Sequence, residues 1–144
     1  MKVKYILAIL ALTASLSAQN IDGLITALVK TESNGNAAAI GDNGRAFGIL
    51  QIHKVMVDDF NRITGKGYKH SDMFDETKSL ETAKRVLSFY SKHIEKTAGR
   101  KASEKELAFI WNGGGSAWKR VNSPLNDTKQ RNLERYWNKV AQNL

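Results

Sequence analysis

The chain has 144 residues, no cysteine and a formal charge of +8, which excludes a disulfide-stapled scaffold and a dithiol redox site. Its three histidines, His53, His70 and His93, are too widely spaced for a ligand set, so neither a metal nor a cofactor is expected. A basic exported chain is drawn to polyanions by its long-range field, but charge alone does not choose among wall polymer, anionic lipid and nucleic acid.

Lys2 and Lys4 precede an apolar run from Ile6 to Leu16, and small residues stand at Ser15, Ser17 and Ala18. That order predicts a secretory signal peptide over residues 1–18, and hence a secreted or periplasmic protein. The run falls short of the roughly 18 residues that span a bilayer, so no integral membrane segment is expected after its removal. Residues 19–144 suit one compact monomeric domain. Loss of Lys2 and Lys4 lowers its charge from +8 to +6.

Apolar residues at Ile21, Leu24, Ile25, Leu28 and Val29 have helical spacing, and Ser33-Asn34-Gly35 supplies an exit. Ala37 to Ile40 and Ala46 to Ile52 flank Asp42-Asn43-Gly44-Arg45. Asn-Gly tolerates positive φ, so these runs predict a small β-hairpin. A helix is expected over His53 to Thr64, closing at Gly65, and a longer one over Thr77 to Thr97, closing at Gly99. Ser103-Glu104-Lys105-Glu106 is a capping-box sequence ahead of Leu107, Ala108, Ile110 and Trp111. A last helix runs from Thr128 to Asn143, with Leu133, Tyr136, Trp137 and Val140 inward. The expected class is α+β, predominantly α-helical, with one small β-hairpin.

A glycan-cleaving site needs a carboxylic acid still protonated when substrate arrives, and an apolar setting raises a carboxyl pKa. Glu32 follows Ala27, Leu28 and Val29 at the end of the first helix. Position alone does not select it, since most helix-terminal glutamates are solvated. The surrounding pattern is more specific. Glu32-Ser33 is followed by Gly48-Ile49-Leu50-Gln51-Ile52 and then by Ile110-Trp111-Asn112-Gly113-Gly114.

These three motifs, in this order, resemble those of the lysozyme-like glycan-cleaving superfamily, in particular SLT-type lytic transglycosylases and goose-type lysozymes. Asp42-Asn43-Gly44-Arg45-Ala46-Phe47-Gly48, with Tyr136-Trp137, is also similar to the invertebrate-type, destabilase-like lysozymes, whose disulfides this chain lacks. The resemblance implies a lysozyme-like fold acting on peptidoglycan glycan strands, with no nucleic-acid partner. It implies that Glu32 protonates the oxygen between N-acetylmuramic acid and N-acetylglucosamine. Ser33 would hold the groove or the substrate, Gln51 would line the cleft floor, and Asn112 would contact substrate amides. Trp111 would pack against the catalytic helix beside Gly113. The family's Tyr stands as Trp111 here, and its Met as Leu50. An indole has only an N–H to donate, so Glu32 would be tuned differently.

Asp42 divides the mechanism. As a second carboxylate across the cleft it would support hydrolysis, the muramidase outcome. Without it, the muramic acid's 6-hydroxyl would close on the anomeric carbon, the lytic transglycosylase outcome. Asp-Asn-Gly is equally good turn chemistry. Chitin, which shares one sugar with peptidoglycan, stands as another substrate. Two rival readings are a catalytically silent basic wall-binding module and a cationic membrane-disrupting protein. Among the remaining features, Gly113, Gly114 and Gly115 lack the lysine of a phosphate loop. Asp58-Asp59 and the stretch from Asp72 to Glu76 lack calcium-loop spacing and read as solvated helix ends. Trp118 reads as an exposed ring for sugar contact.

Overall fold

The structure, a computed structural model, describes residues 21–144. The expected signal peptide lies outside the described residues. Residues 21–33 form helix α1, which buries Ile21, Leu24, Ile25, Ala27 and Leu28. The helix ends where Asn34 and Gly35 turn left-handed, at φ 54° and 85°, as its polar exit predicts.

The expected hairpin is present, and a further strand extends it. Strands β1 (Ile40–Gly41), β2 (Ala46–Phe47) and β3 (Ile52–His53) form an antiparallel sheet in that order. Ile40 stands opposite Phe47, and Ala46 opposite His53. The β1–β2 turn is a 3₁₀ segment, Asp42–Gly44, in which all three residues have positive φ. The apolar run after it is not one strand, because Gly48 (φ 76°) and Gln51 (φ 48°) fold it back on itself. Gly48 is required twice over. Its backbone is left-handed, and a Cβ there would sit 1.9 Å from the Met73 carbonyl oxygen.

Helix α2 (Lys54–Thr64) buries Val57 and Phe60 and closes at left-handed Gly65. The acidic stretch after it is a 3₁₀ segment, His70–Phe74, that covers the sheet instead of lying free in solvent. Met73 is fully buried. His70 stacks on Phe47 at 4.0 Å, and its Nε2 donates to the Ile52 carbonyl at 2.7 Å. Helix α3 (Glu76–Ala98) starts under the Asp75 cap and stops at left-handed Gly99.

Helix α4 (Glu104–Gly113) has the predicted capping box, with Ser103 and Glu106 bonding each other's backbone N–H. Every residue from Glu106 to Trp111 is buried. A helix enclosed all round is the centre of a domain. Helix α3, helix α5 (Thr128–Ala141) and the 3₁₀ turn Ala117–Arg120 pack around it. Trp118, on that turn, is half-buried and packs against the main core. It is not the exposed ring that its charged neighbours suggest. The fold is α+β, predominantly helical and lysozyme-like, with the small sheet beside the end of α1.

Gly48→Ala should lower stability by about 2 kcal/mol or more, combining left-handed strain with a backbone clash. The midpoint of urea unfolding reads this directly. A midpoint equal to wild type would show that the β2–β3 loop is not locked against Met73.

Candidate active site

Glu32 lies one residue before the end of α1, where an apolar helix meets the sheet and α5. Its carboxyl is half-buried, and its Oε1 accepts a 2.5 Å hydrogen bond from the Tyr136 hydroxyl. Burial raises the pKa of Glu32 by disfavouring the charged form. The Tyr136 hydroxyl, the Trp111 side chain and the charge of Lys139 all pull the other way, and desolvation outweighs them. The same burial, with the Glu32 charge beside it, pushes the Tyr136 phenol well above its ordinary range, so it stays a donor. The predicted inward face of α5 places Tyr136 in the core. Its apolar body packs there while its hydroxyl serves Glu32.

A groove of about 460 Å³ opens at this carboxyl, lined by Glu32, Asp42, Gln51, His53, Trp111 and Asn112. Five of the expected site residues therefore meet in one place. Asp42 faces the groove from the β1–β2 turn, with a carboxylate that is not free. Its Oδ1 accepts from Arg45 at 2.9 Å, and its Oδ2 lies 3.3 Å from His53 Nε2. His53, at the end of β3, has no sequence signal beyond being a lone histidine. Only the sheet register brings it to Asp42.

Gln51 and Ser33 act largely on the backbone. The Gln51 amide donates to the carbonyls of Ala39 and Gly48, tying β1 to the loop after β2. Gly41 makes room for that amide, since a Cβ there would stand 2.1 Å from its oxygen. The Ser33 hydroxyl donates to the Ile49 carbonyl at 2.7 Å and accepts from the Asn36 N–H. The Ser33 hydroxyl thus ties the end of α1 to the loop after β2.

Asn112 is exposed at the end of α4, beside buried Trp111. Gly113 lines the next stretch of the groove, of about 310 Å³, with Gln51, His53 and Met56. It is also a packing glycine, because a Cβ would meet Leu133 at 2.7 Å where α4 approaches α5. A third stretch, of about 370 Å³, continues past Val55, Met56 and Gly114 to Asp59, Arg62 and Tyr90.

The profile of the transglycosylase SLT domain matches residues 10–133 of this chain. The chain belongs to that family. Neither a curated protein nor a solved structure matches it. Membership places this SLT domain among the peptidoglycan lytic transglycosylases, with the glycan strand as substrate class. The groove of the SLT domain is thus read against a long polymer, which its three successive stretches suit.

Because Glu32 has a folded pKa above its ordinary value of 4.5, the folded state binds its proton more tightly than the unfolded chain does. Stability is then lost as pH rises from that ordinary value through the folded pKa. Glu32→Gln should remove this loss. Its advantage in urea midpoint over wild type should be absent at acid pH and grow on titration to neutrality. A constant difference would mean that Glu32 is not desolvated. In Tyr136→Phe, the Glu32 carboxyl, followed by NMR, should titrate higher still, since a bond that favours the charged form is gone.

Proposed function

We propose that Glu32 is the acid and then the base of a lytic transglycosylase reaction. The bond cut is the β-1,4 link between N-acetylmuramic acid and N-acetylglucosamine. The supporting observation is a desolvated carboxyl, its pKa raised by burial, at the mouth of a groove in an SLT domain. Glu32 gives its proton to the bridging oxygen as the bond to the muramic C1 breaks. The 6-hydroxyl of the same muramic acid then attacks C1 and returns its proton to Glu32. No water is consumed, and an anhydro end is formed.

Asp42 bears on the hydrolytic alternative. It lines the same groove, which favours a muramidase branch in which water replaces the 6-hydroxyl. Against that branch, both its oxygens already face cationic or hydrogen-bonding partners, Arg45 and His53. Its left-handed turn position gives it a structural use as well. We therefore favour the anhydro product, with Asp42 holding the turn and one wall. On this reading the protein acts outside the cytoplasmic membrane, as the basic first residues and apolar run suggest. Among the described residues, no helix is long and apolar enough to cross a membrane.

Glu32→Gln should cut product release from purified peptidoglycan by about 10²–10⁴-fold, the usual contribution of a general acid. Mass spectrometry of the wild-type products should find muropeptides lighter by one water than the hydrolytic ones. Reducing ends instead would establish hydrolysis, and Asp42→Asn would then abolish it. On the favoured reading Asp42→Asn stays near wild type. Binding to sacculi with no turnover by wild type would mark a silent wall-binding module.

A further inference from the structure

A second groove, of about 400 Å³, lies between the end of α2 and the middle of α3, away from Glu32. Arg85, Ser88, Phe89 and Lys92 line it from α3 at helical spacing i, i+3, i+4 and i+7, so they share one face. Ile63, Thr64 and Lys66 form the opposite wall. Arg85 and Lys92 are exposed and make no ion pair among the described residues.

Two carboxylates beside this groove are already engaged. Glu81 takes the Lys66 ammonium and the Tyr68 hydroxyl, and Asp59 takes Arg62 and the Tyr90 hydroxyl. Among the described residues, Arg85 and Lys92 thus stand without a contact ion pair beside an exposed aromatic ring, Phe89, although the Arg85 charge also acts on Glu81. Its position relative to the first groove is the deciding observation. Arg62 lines the far stretch of the cleavage groove and also sits over the Phe89 ring, 5.4 Å from its centre. The basic groove therefore starts where the cleavage groove ends.

We propose that this basic groove is an anchoring site for the stem-peptide carboxylates of peptidoglycan, separate from the residues that cut the glycan. The proposal rests on peptidoglycan being the substrate, as argued above. A glycan strand leaving the cleavage groove past Arg62 carries one stem peptide per disaccharide, each with free carboxylates. Arg85 and Lys92 stand two helical turns apart, about 10 Å along α3, a step comparable with one disaccharide. Arg85 offers a planar fork and Lys92 a point charge, both suited to carboxylate. The Phe89 ring gives the apolar part of the peptide a surface to lie on. Such a site would keep the domain on the sacculus between cuts.

The test is co-sedimentation of the full chain with sacculi freed of teichoic acid. All proteins carry Glu32→Gln so that the pellet is not digested. Adding Arg85→Glu and Lys92→Glu should weaken binding about three- to tenfold, the scale of two exposed ion pairs. Arg85→Gln with Lys92→Gln should lose less. The difference should shrink as salt is raised. Sacculi whose carboxyls have been amidated should bind the charge-reversed protein and its parent equally. Equal binding of both proteins to untreated sacculi would overturn the proposal, as would an equal loss on amidated ones. A loss found only on walls that keep teichoic acid would also overturn it, by assigning the groove to phosphodiesters. The assay reads binding alone, so it stands even where the cleavage role of Glu32 fails.

Discussion

Enclosure of helix α4 is the constraint on which the site depends. From Glu106 to Trp111 every residue is buried, so the helix can exist only inside a cage. Burying such side chains stabilises a domain by about 25 cal/mol per Å² of apolar surface, and without disulfides this burial has to suffice. The cage walls deliver the chemistry. Helix α5, packed on α4, carries Tyr136 to the end of α1. Trp111 closes the same corner from α4 itself. Glu32 loses water because the core ends there. Even the one buried carboxylate on α4, Glu106, is answered locally, by Arg100 and the Ser103 cap, which hold its pKa down.

Two carboxyls face one groove in opposite settings. Glu32 is desolvated and hydrogen-bonded to a phenol, and its charged form is penalised. Asp42 is exposed on a turn, with Arg45 and His53 beside it. Environments that separate two like groups are how one fold assigns acid and bystander, or acid and base. Of the two, Glu32 alone is desolvated. A buried ionisable group without a full ion pair is costly to the fold. Its retention at the mouth of a groove fits function better than stability.

Polar residues of the three motifs serve the scaffold more than the groove. The amide of Gln51 and the hydroxyl of Ser33 are spent on backbone carbonyls beside a very small sheet, two of which, those of Ala39 and Gly48, also accept backbone N–H groups. Strands of two residues cannot hold themselves together. Side chains from α1 and the loop after β2, with the stacked His70–Phe47–Phe74 rings, supply what the ladder lacks. The groove wall is thus fixed by interactions that stop just short of it, which is what a preorganised site requires.

Much of this was legible in the chain itself. Helical periodicity, the capping box at Ser103, and stops at Gly35, Gly65 and Gly99 are local, and local physics sets them. The Asp-Asn-Gly turn is local too, because its left-handed residues need no distant partner. The order of the three motifs marked Glu32, Gln51, Trp111 and Asn112 as residues that would meet, and they do. What the sequence could not determine depends on contacts between residues far apart. The split of the run from Ala46 to Ile52 comes from Gly48 meeting Met73, and the cover over the sheet from rings stacking across it. Tyr136 reads as core by its spacing, because periodicity reports which face is inward and not what a hydroxyl on that face will touch. His53 meets Asp42 through strand register, and Arg62 joins two grooves through the packing of α2 on α3. Patterns along the chain determined the elements and the candidate acid. Only tertiary burial, which removes water from one carboxyl and leaves it on the other, decided which of them is desolvated.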